Sequence, residues 1–257
     1  MHRTLAAQAA AIWPQEIELI RAYALRDEIE IFDLGCGPGE ISTRLLDAFP
    51  KSTLVGMDIE EDHVAAATKR AESYGGRAAF RKGDALATQI PDNSYDFSVC
   101  RHLLQAVPEA QLVLKELCRV TRPGGRIHLL AEDYGMIYFH PTRLDTDAFW
   151  RKGPMKFAEE IGTDLRSGRK IYSMLHALGV DELSVNYVKV DTVQVARETF
   201  AAIWCAWRDG YAKVIADHSD YSLEEVMDHW ADMLACIRNP AGYGLWSVPV
   251  VSGLVPA

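Results

Sequence analysis

Through the first half of the chain, short and largely apolar runs alternate with longer stretches of helical period. The runs are residues 30–34, 53–58, 78–82, 95–100 and 126–132; apolar strands of this length belong to parallel sheets buried on both faces. Residues 40–49, 62–74 and 108–120 between them read as helices. Pro50 stops the first, Gly75 and Gly76 close the second, and Pro123-Gly124-Gly125 turns the chain into the fifth strand. This alternation predicts an α/β fold, a sheet with helices on both faces.

The rest is less regular. Residues 5–25, interrupted by Pro14, predict one or two extra helices ahead of the first strand. Residues 142–161 form a helix broken at Gly153-Pro154, and Ser167 is placed to cap a helix reaching 178, with Gly179 past its end. Residues 183–190 alternate as a sixth strand, 196–216 and 223–237 are helical, and 245–251 form a last strand that Pro249 assigns to an edge or a bulge. Phe200, Trp204, Trp207 and Tyr211 share one helix face, and Val226, Met227, Trp230, Met233 and Leu234 line the next. Such stripes bury helices against a core; the sharper reading is a lid over an apolar acceptor pocket, with Trp150 joining it and Arg208 and Asp209 facing out.

Size and charge narrow the classes. A chain of 257 residues fits one α/β core with insertions. A net charge of −9 disfavours a nucleic-acid surface, and the basic group Arg166, Arg169 and Lys170 reads as a solvated face. Five scattered cysteines without a CxxC predict free thiols in a reducing cytoplasm and no structural metal. No apolar run is long enough to span a membrane, and the alanine-rich N-terminus reads as part of the fold.

The chemistry concentrates in IFDLGCGPGE, residues 31–40. Gly35, Gly37 and Gly39 follow a strand and open a helix, which lets a ligand approach the backbone closely. The dinucleotide fingerprint needs a glycine where Glu40 stands, and no Gly-Lys-Ser/Thr is present. Asp33 would repel a pyrophosphate and suits an ammonium group instead. Asp58, nineteen positions beyond Gly39, ends the second strand, where a carboxylate can accept from ribose hydroxyls. Asp84, after the third strand, can accept from an adenine amino group.

With Asp33 to Gly39, Gly56-Met57-Asp58-Ile59, Gly83-Asp84-Ala85, Asp96 with Arg101-His102, and the Arg122 to Arg126 turn, the sequence resembles the class I S-adenosylmethionine-dependent methyltransferases, specifically the small-molecule branch of the ubiquinone and menaquinone biosynthesis type. The resemblance covers residues 28–132. It implies a Rossmann-like sheet of seven strands, the last antiparallel and inserted between strands five and six, with a helical insertion between the last two strands. It also implies S-adenosyl-L-methionine as cofactor, with S-adenosyl-L-homocysteine as product. The implied contacts are Asp33, Gly35 and Gly37 around the methionine end, Asp58 on the ribose, and Ile59, Asp84 and Ala85 about the adenine, with Cys36, Gly39 and Arg101 also counted among the cofactor-binding residues and Arg101 otherwise free to pair with a nearby carboxylate.

The expectation is therefore a single methyltransferase domain over 1–257, with a cofactor core at 28–132 and substrate-side or lid segments at 133–181 and 192–241. Asp133, Tyr134 and His140 after strand five, and His102 after strand four, are the candidate catalytic residues. Each is a group that can align or deprotonate a small-molecule acceptor at oxygen or nitrogen. Arg101-His102-Leu103-Leu104 replaces the Asn/Asp-Pro-Pro-aromatic motif of enzymes that methylate nucleobase amines. A protein or peptide methyltransferase, a non-catalytic S-adenosylmethionine-binding protein and an NAD(P)-dependent oxidoreductase are the alternatives, the last opposed by Glu40. Oligomeric state is left open, with a homodimer among the options.

Overall fold

The structure, a computed structural model, describes residues 2–256; Met1 and Ala257, the two ends of the expected 1–257 span, lie outside the described residues. Eight strands are described: β1 (Glu30–Leu34), β2 (Thr53–Asp58), β3 (Ala78–Lys82), β4 (Tyr95–Arg101), β5 (Thr121–Leu130), β6 (Ile137–His140), β7 (Asp181–Asp191) and β8 (Tyr243–Leu254). The helices are α1 (His2–Ala22), α2 (Glu40–Ala48), α3 (Glu61–Arg70), α4 (Ala110–Val120), α5 (Thr146–Lys152), α6 (Pro154–Glu160), α7 (Ile171–Ala177), α8 (Arg197–Asp217) and α9 (Leu223–Arg238).

The first five strands are parallel in the order β3-β2-β1-β4-β5. Antiparallel β8 follows, flanked on its far side by β7, so the last strand is inserted as expected. The interior strands are buried almost throughout, as their apolar runs require. Helix α4 shows the packing logic: Val113, Leu114, Leu117 and Val120 form one buried stripe, and each such side chain contributes about 1.5–3 kcal/mol relative to exposure.

Several expectations are corrected. The sheet has an eighth strand, β6, in a segment read as irregular. Its alternation of buried Ile137 and Phe139 with exposed Tyr138 and His140 is a half-buried strand pattern. Pro249 is neither at an edge nor in a bulge: β8 pairs with β7 along residues 245–254, while β5 and β6 take successive stretches of its other side. The Pro249 carbonyl accepts from Ala131 N–H, so its ring nitrogen faces the gap between β5 and β6, where no ladder bond is lost. The leading segment, expected as one or two helices, is a single one; Pro14 is exposed, so the carbonyl it leaves unbonded can turn to water.

Helix α3 stops at Arg70, and a 3-10 turn carries the chain through Gly75. Ser167 caps nothing. Its segment is a 3-10 turn pinned to the exit of β5 by Gly168 N–H donating to Glu132 O at 2.8 Å, and α7 starts only at Ile171. Arg169 is not merely solvated, since it pairs with buried Asp133. On α8 and α9 the aromatic stripes are core, with Tyr211 and Met227 as exposed exceptions. Among the described residues, no helix is long and apolar enough to cross a membrane, and no group of His, Cys, Asp or Glu is placed to hold a metal ion.

Candidate active site

Successive strand ends build the site. Gly35, Gly37 and Gly39 all have positive φ (74°, 52° and 76°), which side chains adopt only under strain. Gly35 N–H and Cys36 N–H both donate to Met57 O, at 2.8 and 3.0 Å, tying the loop to β2. A Cβ on Gly35 would meet Leu103 at 3.2 Å. Asp33 is buried beneath this loop and accepts from Ser42 Oγ at 2.6 Å. Burial raises its carboxyl to about 6, against the opposing pull of the Ser42 bond and of Arg101. Burial likewise pushes the Cys36 thiol far up, so this residue faces a ligand as backbone, not as thiolate.

Asp58 lies at the end of β2, next to β1. Its Oδ2 accepts from Gly37 N–H at 2.8 Å, and its Oδ1 accepts from Glu60 N–H at 3.0 Å with His63 Nδ1 at 3.3 Å. The carboxylate thus clasps the glycine loop to the end of β2. The following Ile59 is 60% exposed, an apolar side chain left open at the sheet edge. Ala85 is half-buried, and exposed Asp84 accepts from Leu86 N–H at 2.9 Å through Oδ1. Asp33, Asp58 and Asp84 therefore stand at the carboxyl ends of three neighbouring strands.

Glu16 was not singled out from the sequence. Helix α1 carries it, fully buried, to the ends of β4 and β5. Its Oε1 accepts from Arg101 Nε at 2.7 Å and lies 3.0 Å from His128 Nε2; His128 Nδ1 lies 2.8 Å from Tyr23 Oη. Burial raises the Glu16 carboxyl, but the Arg101 charge and the His128 bond outweigh it and hold it at about 2. A depressed acid of this kind stabilises the fold above its ordinary range near 4.5, and the contribution is lost as pH falls toward 2. Glu16 Oε2 and Arg101 Nη2 are buried without a partner. One signal was present: Ile12, Glu16 and Ile20 fall four apart on one face, and both isoleucines are buried.

On the acceptor side, the four candidates separate. His102, one residue past β4 with φ 53°, bonds Glu132 Oε1 through Nδ1 at 2.7 Å. Glu132, a second residue the sequence reading passed over, is buried and accepts from Trp246 Nε1 at 2.8 Å through Oε2. Tyr134 stacks on Trp207 at 5.3 Å and meets Trp150 edge-on at 5.2 Å. Burial drives its phenol well above the ordinary range, helped by Glu132 and Tyr211. Trp207 in turn packs on Trp246 at 5.1 Å, so Tyr134, Trp207, Trp246 and His102 form one aromatic group.

Asp133 does not join them as a base. Arg169 Nε and Nη2 grip both its oxygens, at 2.6 and 2.7 Å, and Oδ1 also accepts from Gly135 N–H. His140 is not brought to the site either. It is exposed and lies opposite Tyr243, seven residues along β8 from Val250, the partner of Leu130. At 3.3 Å per residue it stands roughly 23 Å beyond the sheet edge, because β6 continues outward along the line of β5.

Residues 31–125 match the family model described as a methyltransferase domain. The chain is 34% identical over 109 residues to a ubiquinone/menaquinone biosynthesis C-methyltransferase of Paracoccus denitrificans, covering 42% of this chain and 44% of that one. It is 32% identical over 126 residues to a 27-O-demethylrifamycin SV methyltransferase of Amycolatopsis mediterranei, covering 48% of this chain and 45% of that one. The chain thus spans less than half the length of the curated relatives it matches. In fold it is similar to a Haemonchus contortus phosphoethanolamine N-methyltransferase 2 solved with S-adenosyl-L-methionine. The TM-score is 0.62 at 16% identity, over 95% of this chain and 53% of that one. At that identity the likeness speaks for the fold alone.

Proposed function

We propose that the chain, whose residues 31–125 match the methyltransferase-domain family model, is a class I S-adenosylmethionine-dependent methyltransferase that transfers a methyl group from S-adenosyl-L-methionine to an oxygen or nitrogen atom of a small-molecule metabolite. The observation that carries this is the pair of buried atoms without partners, Arg101 Nη2 and Glu16 Oε2, with Asp33 close enough to feel both charges. A donor and two carboxylates at one place complement the carboxylate and ammonium of an amino acid. The positive-φ glycines leave room for its stem, Asp58 suits the ribose, and exposed Ile59 with Ala85 and Asp84 offers an adenine a flat apolar seat with an acceptor. When bound, the group supplies an electrophilic methyl on a sulfonium; the protein's part is to hold the acceptor in line at near-attack distance.

This reading treats the chain as one methyltransferase domain, with 28–132 holding the cofactor and 133–181 and 192–241 shaping the acceptor side. Free thiols at all five cysteines accord with a cytoplasmic location. A carbon acceptor is the second reading, favoured by the C-methyltransferase relative. Labelled methyl from the donor, offered with a fractionated host extract, should enter the small-molecule fraction. Label confined to protein would instead select the peptide alternative.

Binding should also depend on pH. In the free protein Asp33 takes up its proton near 6, whereas the ammonium group of the ligand's amino-acid end favours the ionised form. Binding below that pH therefore releases a proton, and affinity for S-adenosylhomocysteine should rise between pH 5 and 7, levelling above. Asp33→Asn should bind more weakly with a flat profile across that window. Calorimetric titration at several pH values measures both.

A further inference from the structure

Glu40, the residue that breaks the dinucleotide fingerprint, is buried in the first turn of α2, where its negative charge suits the helix N-terminus. Two arginines hold it: Arg44 Nη1 lies 2.9 Å from Oε2, and Arg70 Nη2 lies 2.5 Å from Oε1. Arg44 is the neighbour one helical turn on, whereas Arg70 is the last residue of α3. Arg70 makes a second bond, its Nε donating to Pro38 O at 2.8 Å. One guanidinium thus bridges a backbone carbonyl inside the glycine loop and the carboxylate that follows the loop.

Pro38 sits between Gly37 and Gly39, both at positive φ, and glycines give up the most conformational freedom when a loop is ordered. Helix α3 supplies the hold. Ala67, with no exposed surface, packs on Gly39 so closely that a Cβ there would meet the Ala67 Cβ at 3.0 Å. At the start of α3, Glu60 N–H donates to Asp58 Oδ1 at 3.0 Å, and His63 Nδ1 lies 3.3 Å from the same oxygen. The helix is therefore a strut between the carboxylate suited to the ribose and the loop suited to the amino acid end. An ion pair serving charge balance alone would not need the bond to Pro38, and Glu40 already has Arg44.

We infer that Arg70 is a positioning residue for the cofactor: anchored on Glu40, it holds the glycine loop in the form that receives the amino acid end of S-adenosyl-L-methionine. The inference rests on the methyltransferase reading and adds to it a residue that acts from behind the loop, through the backbone of Pro38 and Gly39. A loop ordered before binding spares the ligand that ordering cost. The planar fork of an arginine is required, because Nε and Nη2 reach two acceptors at once. A lysine ammonium in the same place can pair with Glu40 but cannot span both acceptors.

The test titrates the full-length wild type, Arg70→Lys and Arg70→Ala calorimetrically with S-adenosylhomocysteine and, separately, with adenosine, which lacks the amino acid end. Arg70→Lys should melt within about 4 °C of the wild type. It should bind S-adenosylhomocysteine about five- to tenfold more weakly, the worth of one hydrogen bond, while its affinity for adenosine changes less than about twofold. Arg70→Ala should lose at least as much. The Arg70 side chain is 40% exposed, so its place is open to solutes, and millimolar guanidinium ion should restore part of the affinity where sodium does not. Unchanged S-adenosylhomocysteine affinity in Arg70→Lys, equal losses for both ligands, or no rescue by guanidinium would overturn the inference and leave the methyltransferase reading standing. Failure of the wild type to bind S-adenosylhomocysteine would overturn both.

Discussion

Arg101→Met is expected to destabilise the fold by about 3–5 kcal/mol, because it strands a buried carboxylate. Glu16 is fully buried and owes its depressed pKa, about 2, to Arg101 and His128 working against burial. Without the guanidinium, 2.7 Å away, only His128 remains within reach of Oε1. Denaturant unfolding at pH 7 measures the loss. The double variant Glu16→Gln, Arg101→Met should be more stable than Arg101→Met alone, since it removes the stranded charge along with its partner. If the single variant lost less than about 1 kcal/mol, or the double variant were the worse of the two, the buried pair would not be what joins α1 to the sheet.

Trp204→Ala should cost a similar amount, about 3–5 kcal/mol. Trp204 has no exposed surface and packs against Phe200, Trp207, Phe139 and Trp246 at ring separations of 4.6 to 6.2 Å. It therefore ties α8 to β6 and β8 through one aromatic cluster. A thermal melt should fall by roughly 10 °C, given about 2–4 °C per kcal/mol for a chain of this size. A loss under about 1 kcal/mol would mean that α8 is a loosely seated lid, the sharper of the two sequence expectations.

What could be read in advance follows from the range of each signal. β1, β2 and β3, the glycine loop and the acidic ends at Asp33, Asp58 and Asp84 are encoded within a few residues, in apolar runs and turn glycines. Those elements were legible. Glu16 meets Arg101 across 85 positions and Glu132 meets Trp246 across 114, and nothing local to either glutamate announces the partner. Pro249 misled because its local rule describes an edge; tertiary pairing instead placed its missing donor opposite a gap. Asp133 and His140 have the chemistry of catalytic groups, but Arg169 and the outward line of β6 remove them from that role.

The most direct test of the central claim is calorimetric titration of S-adenosylhomocysteine into the wild type and Asp33→Asn, with NAD as the competing ligand. A crevice at the carboxyl ends of β1, β2 and β4 built for the amino acid end of the cofactor predicts one saturable site in the wild type. It predicts at least tenfold weaker binding in the variant, as expected for a lost charge-assisted bond worth about 1.5–3 kcal/mol, and no binding of NAD. Absence of S-adenosylhomocysteine binding, or equal affinity for NAD, would contradict the account.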